Sequence, residues 1–172
     1  MTVRCFVDAN VFVYARDPRD SAKHARAVHW LALLWRERSG RTSTQVLAEY
    51  YVIITRKLSP QIAPDDAWDD IRELLSWRPQ SVDAELLLRA RQVEQRYRLS
   101  WWDSIVVAAA QLQDCALLLS EDLQDGAVFG TVTVRSPFTL ELGQPAAVYA
   151  VRPLAAPLHR PRGRPKRAHA GA

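Results

Sequence analysis

Four carboxylates stand at the ends of predicted elements or on a helix face, and their types and positions could support metal chemistry. They are Asp8, Glu49, Asp103 and Asp122. Asp8 and Asp122 each follow an apolar strand, and the carboxyl ends of parallel strands meet at one edge of a sheet. Carboxylates gathered there without cationic partners repel one another unless a divalent cation neutralises them. The pattern therefore predicts a site for Mg²⁺ or Mn²⁺.

Each acid also has an ordinary structural explanation. Asp8 opens an Asp-Ala-Asn sequence that suits a turn, and Glu49 could lie at the boundary of an apolar helical face. The stretch Ser100–Asp103 fits a capping box, in which the acid accepts a hydrogen bond from the Ser100 amide. Asp122 could belong to the turn that Asp125-Gly126 favours. Taken singly these explanations stay open, and the metal site rests on the four acids jointly.

Short strands that alternate with helices must position these acids. This alternation predicts an α/β sandwich of three layers, with a central, mainly parallel, short-stranded sheet flanked by helices. After a strand over 4–8, either the strand continues through residues 11–14 or a short helix starts at Asn10. We predict further strands over 41–43, 116–119 and 131–135, and helices from a Ser21 cap to Gly40, from a Thr44 cap, from Pro64, over 83–97 and over 100–113.

The positive charge of the chain is concentrated in a C-terminal segment. The 172 residues carry a net charge of +4, yet residues 151–172 contain six basic residues and no acid. The remaining 17 basic and 19 acidic residues give the body a charge of about −2. We therefore predict one folded domain over 1–144 and a basic, Pro- and Arg-rich, disordered tail over 145–172.

Several other kinds of site are disfavoured. The four histidines, His24, His29, His159 and His169, show no zinc-ligand spacing. There is no GxGxxG, P-loop or GxSxG motif, and Asn10 stands where a haloacid-dehalogenase phosphatase needs its second carboxylate. Cys5 and Cys115 are expected to be buried free thiols, which suits a cytoplasmic protein. No signal peptide or membrane-spanning segment is predicted.

Five segments in order resemble the motifs of PIN-domain proteins. They are Phe6–Ala15, Ser43–Tyr51, Trp101–Ala110, Leu119–Gly126 and Val132–Phe138. Each segment alone is a weak match, whereas five in the correct order are specific. Size and motif order resemble the VapC-type toxins of toxin–antitoxin pairs.

The resemblance implies a metal-dependent endoribonuclease that acts on RNA, forms a homodimer and is inhibited by a cognate antitoxin. Asp8, Glu49, Asp103 and Asp122 would be the catalytic metal ligands. Glu121 and Asp125 are alternatives for the fourth. A non-catalytic RNA-binding module and a metal-dependent DNA nuclease or phosphatase remain alternative functions.

Secondary roles can be assigned around this site. Asn10 and Ser120 are candidates for orienting the carboxylates, or are ordinary turn and cap residues. Either Trp101 or Trp102 could face the site, with core packing favoured for at least one, whereas Trp30, Trp35, Trp68 and Trp77 have the spacing of packing or interface residues. Candidates for steering RNA are the basic side chains Arg16, Arg19, Lys23, Arg56 and Lys57, and the tail stretch Arg160–Arg167.

Overall fold

The computed structural model describes residues 3–139, which form five strands and six α-helices in an α/β arrangement. The strands are β1 (Cys5–Val7), β2 (Gly40–Arg41), β3 (Leu117–Leu119), β4 (Val128–Phe129) and β5 (Val132–Arg135). The helices are α1 (Ala9–Arg16), α2 (Ser21–Glu37), α3 (Thr44–Val52), α4 (Pro64–Leu74), α5 (Ala84–Tyr97) and α6 (Trp101–Leu112). A π-helical turn, Ile53–Lys57, extends α3, and a 3-10 turn, Leu75–Trp77, extends α4.

The sheet has the strand order β2-β1-β3-β5-β4. All neighbouring pairs are parallel except β4 and β5, which form an antiparallel edge. β1 and β3 pair along their whole length, so that Val7 lies opposite Leu119. Both strands are fully buried, as expected for a parallel sheet covered by helices. The predicted mainly parallel α/β fold is confirmed.

Helix α1 settles the question left open after β1. The chain does not continue as a strand, because Asp8 already has the extended conformation of an N-cap and accepts from the Ala9 amide. The first strand therefore ends at Val7 and not at Asp8. The carboxylate stands at the junction between a buried strand and a helix.

Two predicted helix starts are displaced by one residue because the preceding residue forms the N-cap. Asp20, and not Ser21, caps α2 by accepting from the Lys23 amide. Ser43, and not Thr44, caps α3 by accepting from the Val46 amide. A preceding residue with a short oxygen-bearing side chain competes equally well for the N-cap position, and spacing alone does not separate the two.

Gly40 does not end α2. The helix ends at Glu37, and its C-cap residue, Arg38, takes the left-handed conformation with φ of 54°. Gly40 begins β2, so the second strand starts one residue earlier than the predicted 41–43 and ends at Arg41. A Cβ on Gly40 would lie 2.5 Å from a ring carbon of Trp77. The glycine is therefore required by the close approach of the Trp77 ring and not by a helix terminus.

The shortest elements, the membrane-span prediction and the tail remain to be compared with the structure. Strand β4 and the two helical turns were not predicted, since each is only two to five residues long. No helix within residues 3–139 is long and apolar enough to cross a membrane. The predicted tail over 145–172 lies outside the described residues.

Candidate active site

Asp8 is a buried carboxylate at the carboxyl end of β1. Its side chain is 7% exposed, and its Oδ1 accepts from the Ala9 amide at 2.8 Å. Its Oδ2 accepts from the Ser120 hydroxyl at 2.7 Å. Burial raises the pKa of Asp8 from 3.8 to about 6; the two hydrogen bonds oppose this rise, and the negative charges of Asp122 and Glu49 add to it. The fold thus holds this carboxylate where its charged form is disfavoured.

Asp122 is tied to Asp8 through one serine. Ser120 follows β3 and is fully buried; its hydroxyl donates to Asp8 and accepts from the Asp122 amide at 3.2 Å. The Asp122 carboxylate accepts from Asn10 Nδ2 at 3.2 Å. The first turn of α1 and the loop after β3 are therefore joined by a polar network. Asn10 and Ser120 therefore donate to Asp122 and Asp8, as an orienting role requires, and that role stays a prediction.

Glu49 projects from α3 toward the same charges. Its pKa is raised, first because of partial burial and then because of the negative charges of Asp122 and Asp103, while Lys57 acts in the opposite direction. The Lys57 effect corrects the expectation that these acids lack a nearby cation. Lys57 lies in the π-helical turn that extends α3, and a spacing of eight residues along one continued helix could have indicated the proximity.

Asp103 lies in the first turn of α6 and forms a local cap with Ser100. The Ser100 hydroxyl accepts from the Asp103 amide at 3.1 Å and donates to the Asp103 carboxylate at 2.7 Å. The predicted cap is present, but the carboxylate uses the hydroxyl of Ser100 where the prediction had the amide. Its other oxygen, Oδ1, has no hydrogen-bond partner recorded within residues 3–139.

The four acids form one electrostatic neighbourhood and not a closed cage. The negative charges of Asp122 and Glu49 raise the pKa of Asp8, and those of Asp122 and Asp103 raise the pKa of Glu49. As the side chains stand, no three acidic, histidine or cysteine residues within 3–139 lie close enough together to hold a metal ion. The charges of the acids therefore act on one another, although their side chains do not form a closed metal site.

The donor set nevertheless suits a hard divalent cation. All four side chains offer oxygen ligands, which Mg²⁺ and Mn²⁺ prefer. In addition, Oδ1 of Asn10 is buried without a hydrogen-bond partner among the described residues, which is costly unless something satisfies it. A cation would relieve both the repulsion and the unsatisfied oxygen.

The two alternatives for the fourth acid are engaged elsewhere. Glu121 pairs with Lys23, and Asp125 accepts from Arg135 Nε at 3.1 Å and from the Ser136 amide at 2.7 Å. Only Asp122 of the three contacts the Asp8 network in residues 3–139. This geometry favours Asp122, whose role as a ligand stays a prediction.

Most of the predicted rim cations are already paired. Arg16 pairs with Asp70, Arg19 with Asp17 and Lys23 with Glu121. Arg56 is exposed, and Lys57 acts on Glu49. Of the five, Lys57 is the one with a resolved effect on a candidate ligand in the described part of the chain.

The tryptophans divide between core and surface. Trp30 and Trp77 are buried, whereas Trp35 and Trp68 are 39% and 53% exposed. Trp101 packs against the core, as favoured for at least one of the pair beside Asp103. Trp102 is 65% exposed and remains the available aromatic surface next to that acid. Cys5 and Cys115 are buried free thiols as predicted.

Comparison with known families and structures identifies the architecture. A family model described as the PIN domain matches residues 5–124. The chain belongs to the PIN-domain family. The matched range includes Asp8, Glu49, Asp103 and Asp122, so the predicted family is confirmed. No curated protein matches this chain in sequence.

Solved structures of similar fold include a toxin–antitoxin complex, a toxin and a DNA-bound VapBC2. A toxin–antitoxin complex from Klebsiella pneumoniae has a TM-score of 0.57 at 18% identity, with 77% of this chain and 97% of that chain covered. VapC20 from Mycobacterium tuberculosis, a sarcin-ricin loop cleaving toxin, has a TM-score of 0.54 at 22% identity, covering 69% and 91%. VapBC2 from Rickettsia felis, bound to a promoter DNA fragment, has a TM-score of 0.52 at 14% identity, covering 77% and 97%.

A further similar structure is FitAB bound to the IR36 DNA fragment. Its TM-score is 0.64 at 20% identity, with 81% of this chain and 99% of that chain covered. At these identities the likeness establishes a shared fold. The matched part of this chain covers between 91% and 99% of each of these four structures.

Proposed function

We propose that this PIN-domain protein is a divalent-metal-dependent endoribonuclease and the toxin of a toxin–antitoxin pair. The observation that carries the proposal is the Asn10–Asp122–Ser120–Asp8 network beside Glu49 and Asp103. It brings together carboxylate oxygens, and the most deeply buried of these carboxylates, Asp8, has no counterion among the described residues. Carboxylate oxygens are the ligands that Mg²⁺ and Mn²⁺ prefer. The similar structures described as toxins support the biological role.

In this proposal Asp8 and Asp103 are the principal metal ligands, and Glu49 and Asp122 complete the site. A bound Mg²⁺ or Mn²⁺ would activate water and stabilise the leaving oxygen of an RNA phosphodiester. Ser120 fixes one carboxylate oxygen of Asp8, and Asn10 fixes one of Asp122. Ser100 does the same for Asp103. Each of these three acids therefore has at least one oxygen held by a hydrogen bond, which limits the rotation of the carboxylate.

The proposed partners follow from the same role. We propose that the chain forms a homodimer in the cytoplasm and is inhibited by a cognate antitoxin. The antitoxin partner is supported by two of the similar structures, the toxin–antitoxin complex and VapBC2. The gene neighbouring this one should encode a small DNA-binding protein. Growth arrest on expression of this chain, relieved by that neighbour, tests the pairing. Arrest that the neighbour does not relieve would contradict it.

The catalytic proposal is tested with Asp8→Asn and Asp103→Asn. Both keep the size of the side chain and, at position 8, an N-cap residue, so folding is expected to survive and is checked by circular dichroism. Cleavage of a labelled RNA in Mg²⁺ should fall by roughly a thousandfold or more, equivalent to about 4 kcal/mol of transition-state stabilisation. Undiminished cleavage in both variants would refute the proposal.

Substrate class is tested in the same assay. RNA, single-stranded DNA and a phosphomonoester are digested in parallel, since the acids recognise metal and phosphate but not ribose. Cleavage of RNA alone is the expected outcome. Cleavage of DNA or of the monoester would favour the DNA nuclease or phosphatase alternative, and cleavage of none would favour a non-catalytic RNA-binding module.

The basic tail is proposed to add sequence-independent affinity for RNA. Residues 152–172 contain six basic side chains, and each phosphate contact contributes about −0.7 to the slope of log K against log salt for single strands. Removing 152–172 should weaken RNA binding and make this slope less negative by up to about 4. Filter binding between 50 and 200 mM salt measures both, and an unchanged slope would contradict the role.

A further inference from the structure

Arginines stand at the edge of the sheet opposite to the acids. The first residues of β1, β2 and β3 lie opposite one another, so their amino ends form one edge. Arg4 directly precedes β1, and Arg38 and Arg41 flank the start of β2. Asp8 lies beyond the other end of β1, about 13 Å from Arg4 at about 3.3 Å per residue. The two edges of the sheet therefore differ in the sign of the charges they carry.

Hydrogen bonds join this edge to the ends of two helical segments. Arg4 Nη1 donates to the carbonyl of Gln113, the C-cap of α6, at 3.1 Å. Gln113 Nε2 in turn donates at 2.8 Å to the carbonyl of Arg78, which caps the 3-10 turn after α4. Both arginines are exposed. Arg4 and Arg78 therefore lie on one surface.

Arg41 belongs to the same surface. Its Nη1 donates to the carbonyls of Gly40 at 2.7 Å and of Arg38 at 3.4 Å, so this side chain turns back toward the amino end of β2. Burial raises the pKa of the Cys115 thiol to about 12, and the positive charges of Arg41 and Arg4 act against this rise. Both guanidinium groups therefore stand near one thiol that lies just before β3.

A recess of about 390 Å³ continues this surface toward β3 and β5. Asp114 connects the two, because it lines the recess and pairs with Arg4 at 3.4 Å. Thr131, which directly precedes β5, also lines the recess. Helix α5 contributes three polar side chains to its wall: Arg89, Gln92 and Arg96. A recess with two arginines and one acid in its lining suits an anion.

The positive charges of this surface exceed its negative charges. Four of its arginines form no ion pair within residues 3–139: Arg38, Arg78, Arg89 and Arg96. Arg96 lies over the Tyr97 ring, 5.3 Å from its centroid, which leaves its charge without a counterion. The side chain of Asp114 is 86% exposed, so water screens its attraction to Arg4. A bound anion would supply the missing counter-charge.

Two of these arginines occupy backbone positions that favour glycine. Arg38 and Arg78 take the left-handed conformation, with φ of 54° and 53°, and glycine is the usual residue at such helix ends. A residue with a Cβ is strained there. The attraction between a cation and the carboxyl end of a helix offsets only part of this strain, since it is the smaller effect. The two side chains therefore have a use that a glycine would not serve.

We propose that six arginines form a surface, the arginine edge, that binds the phosphate backbone of RNA away from the acids: Arg4, Arg38, Arg41, Arg78, Arg89 and Arg96. The planar guanidinium matches phosphate through two hydrogen bonds at once. From β2 to β5 the edge spans three strand spacings, about 14 Å, so it meets several phosphates of a polymer, whereas a small anion would fill only the recess. The choice of RNA as the polyanion rests on the proposed ribonuclease function.

Binding of RNA to the full-length protein without divalent metal tests the arginine edge apart from cleavage. The probe is a fluorescein-labelled single-stranded RNA longer than the roughly 16 nucleotides of a large single-strand site, and fluorescence anisotropy is followed in a chelator between 50 and 200 mM salt. The double variant Arg89→Ala, Arg96→Ala should bind about fivefold more weakly, with a slope of log K against log salt less negative by about 1.4. An unchanged affinity and slope would overturn the proposal.

Arg91→Ala is the matched control. Arg91 lies on the same helix, α5, but pairs with Glu94 and does not line the recess. Its removal should leave the affinity within twofold and the slope unchanged. A loss equal to that of the double variant would mean that total charge, and not the arginine edge, determines binding, and it would overturn the proposal. Circular dichroism checks the folding of every variant.

Arg78→Gly separates binding from stability. The substitution removes a guanidinium and gives the left-handed position the residue that suits it, so the melting temperature should not fall. The salt slope should become less negative by about 0.7. RNA affinity that stays at the wild-type value would show that Arg78 serves the fold alone, and it would overturn the place of this residue in the surface.

An acidic protein segment is the rival occupant of the arginine edge. A poly-glutamate peptide with the same number of charges as the RNA is added as a competitor. It should displace the RNA at least tenfold less effectively than unlabelled RNA does. Equal displacement would assign the surface to an acidic protein partner and overturn the proposal.

Failure of this proposal and failure of the ribonuclease function give different results. If Mg²⁺ supports no RNA cleavage but the double variant still loses RNA affinity, the ribonuclease function is refuted and the arginine edge stands. If RNA is cleaved and the double variant binds it as wild type does, the arginine edge is refuted alone. In an active enzyme the double variant should raise KM for the long RNA about fivefold and change kcat less than twofold, because the edge lies away from the acids.

Discussion

Two aspartates in this molecule, Asp8 and Asp70, show two different treatments of a partly or fully buried charge. Asp70 of α4 has a side chain that is 17% exposed and pairs with Arg16; it also accepts from the Tyr50 hydroxyl at 2.6 Å. Asp8 is buried more deeply and receives two hydrogen bonds, both from neutral donors. The first carboxylate is neutralised by the fold, and the second is left without a counterion in the described structure.

The difference appears in the titration of the two regions. The hydrogen bond to Asp70 raises the pKa of Arg16, so the guanidinium stays charged. Burial, and then the hydrogen bond to Asp70, raise the pKa of Tyr50, so its hydroxyl stays neutral. At Asp8, burial outweighs the hydrogen bonds and raises the carboxyl pKa to about 6. One region stabilises the fold, while the other retains a cost that function explains better than stability does.

After Asp8→Asn and Asp103→Asn, the largest expected effect concerns Asp122, the acid that shares the hydrogen-bond network of Asp8. Asp122→Asn should lower RNA cleavage by roughly a hundredfold or more, about 2.7 kcal/mol, because it removes an oxygen ligand from the site. Glu121→Gln and Asp125→Asn remove acids that are paired with Lys23 and Arg135, and each should change cleavage less than threefold. Single-turnover kinetics in Mg²⁺ makes the comparison. If Glu121→Gln or Asp125→Asn were the impaired variant, the fourth ligand would be reassigned.

The neutralised aspartate should affect stability instead. Asp70→Ala leaves Arg16 and the Tyr50 hydroxyl without their shared acceptor, and the free energy of unfolding should fall by about 2 kcal/mol, since the pair is only partly buried. Asp69→Ala breaks a pair whose side chains are 61–63% exposed and should cost about 0.5 kcal/mol or less. Urea unfolding at neutral pH measures both. Equal losses would mean that the Asp70 contacts do not hold α4 to α1 and α3.

The uncompensated aspartate should behave in the opposite way. The pKa of Asp8 is about 6 in the folded state, above its ordinary value of 3.8. The stability associated with protonated Asp8 is therefore fully present below about pH 4 and is lost as the pH rises through 6. At pH 7 and without divalent metal, Asp8→Asn should raise the free energy of unfolding by about 1 kcal/mol and by at most about 3. The gain should shrink on acidification.

Urea unfolding of wild type and Asp8→Asn between pH 4 and 8, with a chelator present, checks this prediction. Asp125→Asn serves as the control, because its carboxylate is exposed and paired with Arg135. A variant less stable than wild type at pH 7, with no dependence on pH, would mean that the Asp8 carboxylate is stabilising as it stands. The contrast with Asp70 would then disappear.

The sequence predicts the parts of the site that depend on local order. Asp8 and Asp122 were expected at one edge because each follows a buried strand, and the pairing of Val7 with Leu119 brings the two strand ends together. The Ser100–Asp103 cap was also expected, since both partners lie within one helical turn. These features depend on periodicity and on neighbours within four residues, which a single sequence contains.

Contacts between distant residues could not be predicted in the same way. Ser120 and Asp8 are 112 positions apart, and Arg16 and Asp70 are 54 apart, so spacing gives no indication of either contact. Arg16 was accordingly assigned to the RNA-binding rim, whereas the structure shows it holding α4. The apolar groove between α3 and α4 could not be predicted either, because Leu47 and Trp68, which line it, have the sequence spacing of core residues.

The contact between Gly40 and the Trp77 ring links two positions that lie on different elements. Because a methyl group at position 40 would overlap the ring, a larger residue there is tolerated only after Trp77 has become smaller, and Trp77 in turn packs on Phe12 and Trp35. Among descendants of this sequence, the two positions are expected to covary, with the change at 77 fixed first. A glycine that looks like a helix terminus thus records an order in which mutations can be accepted.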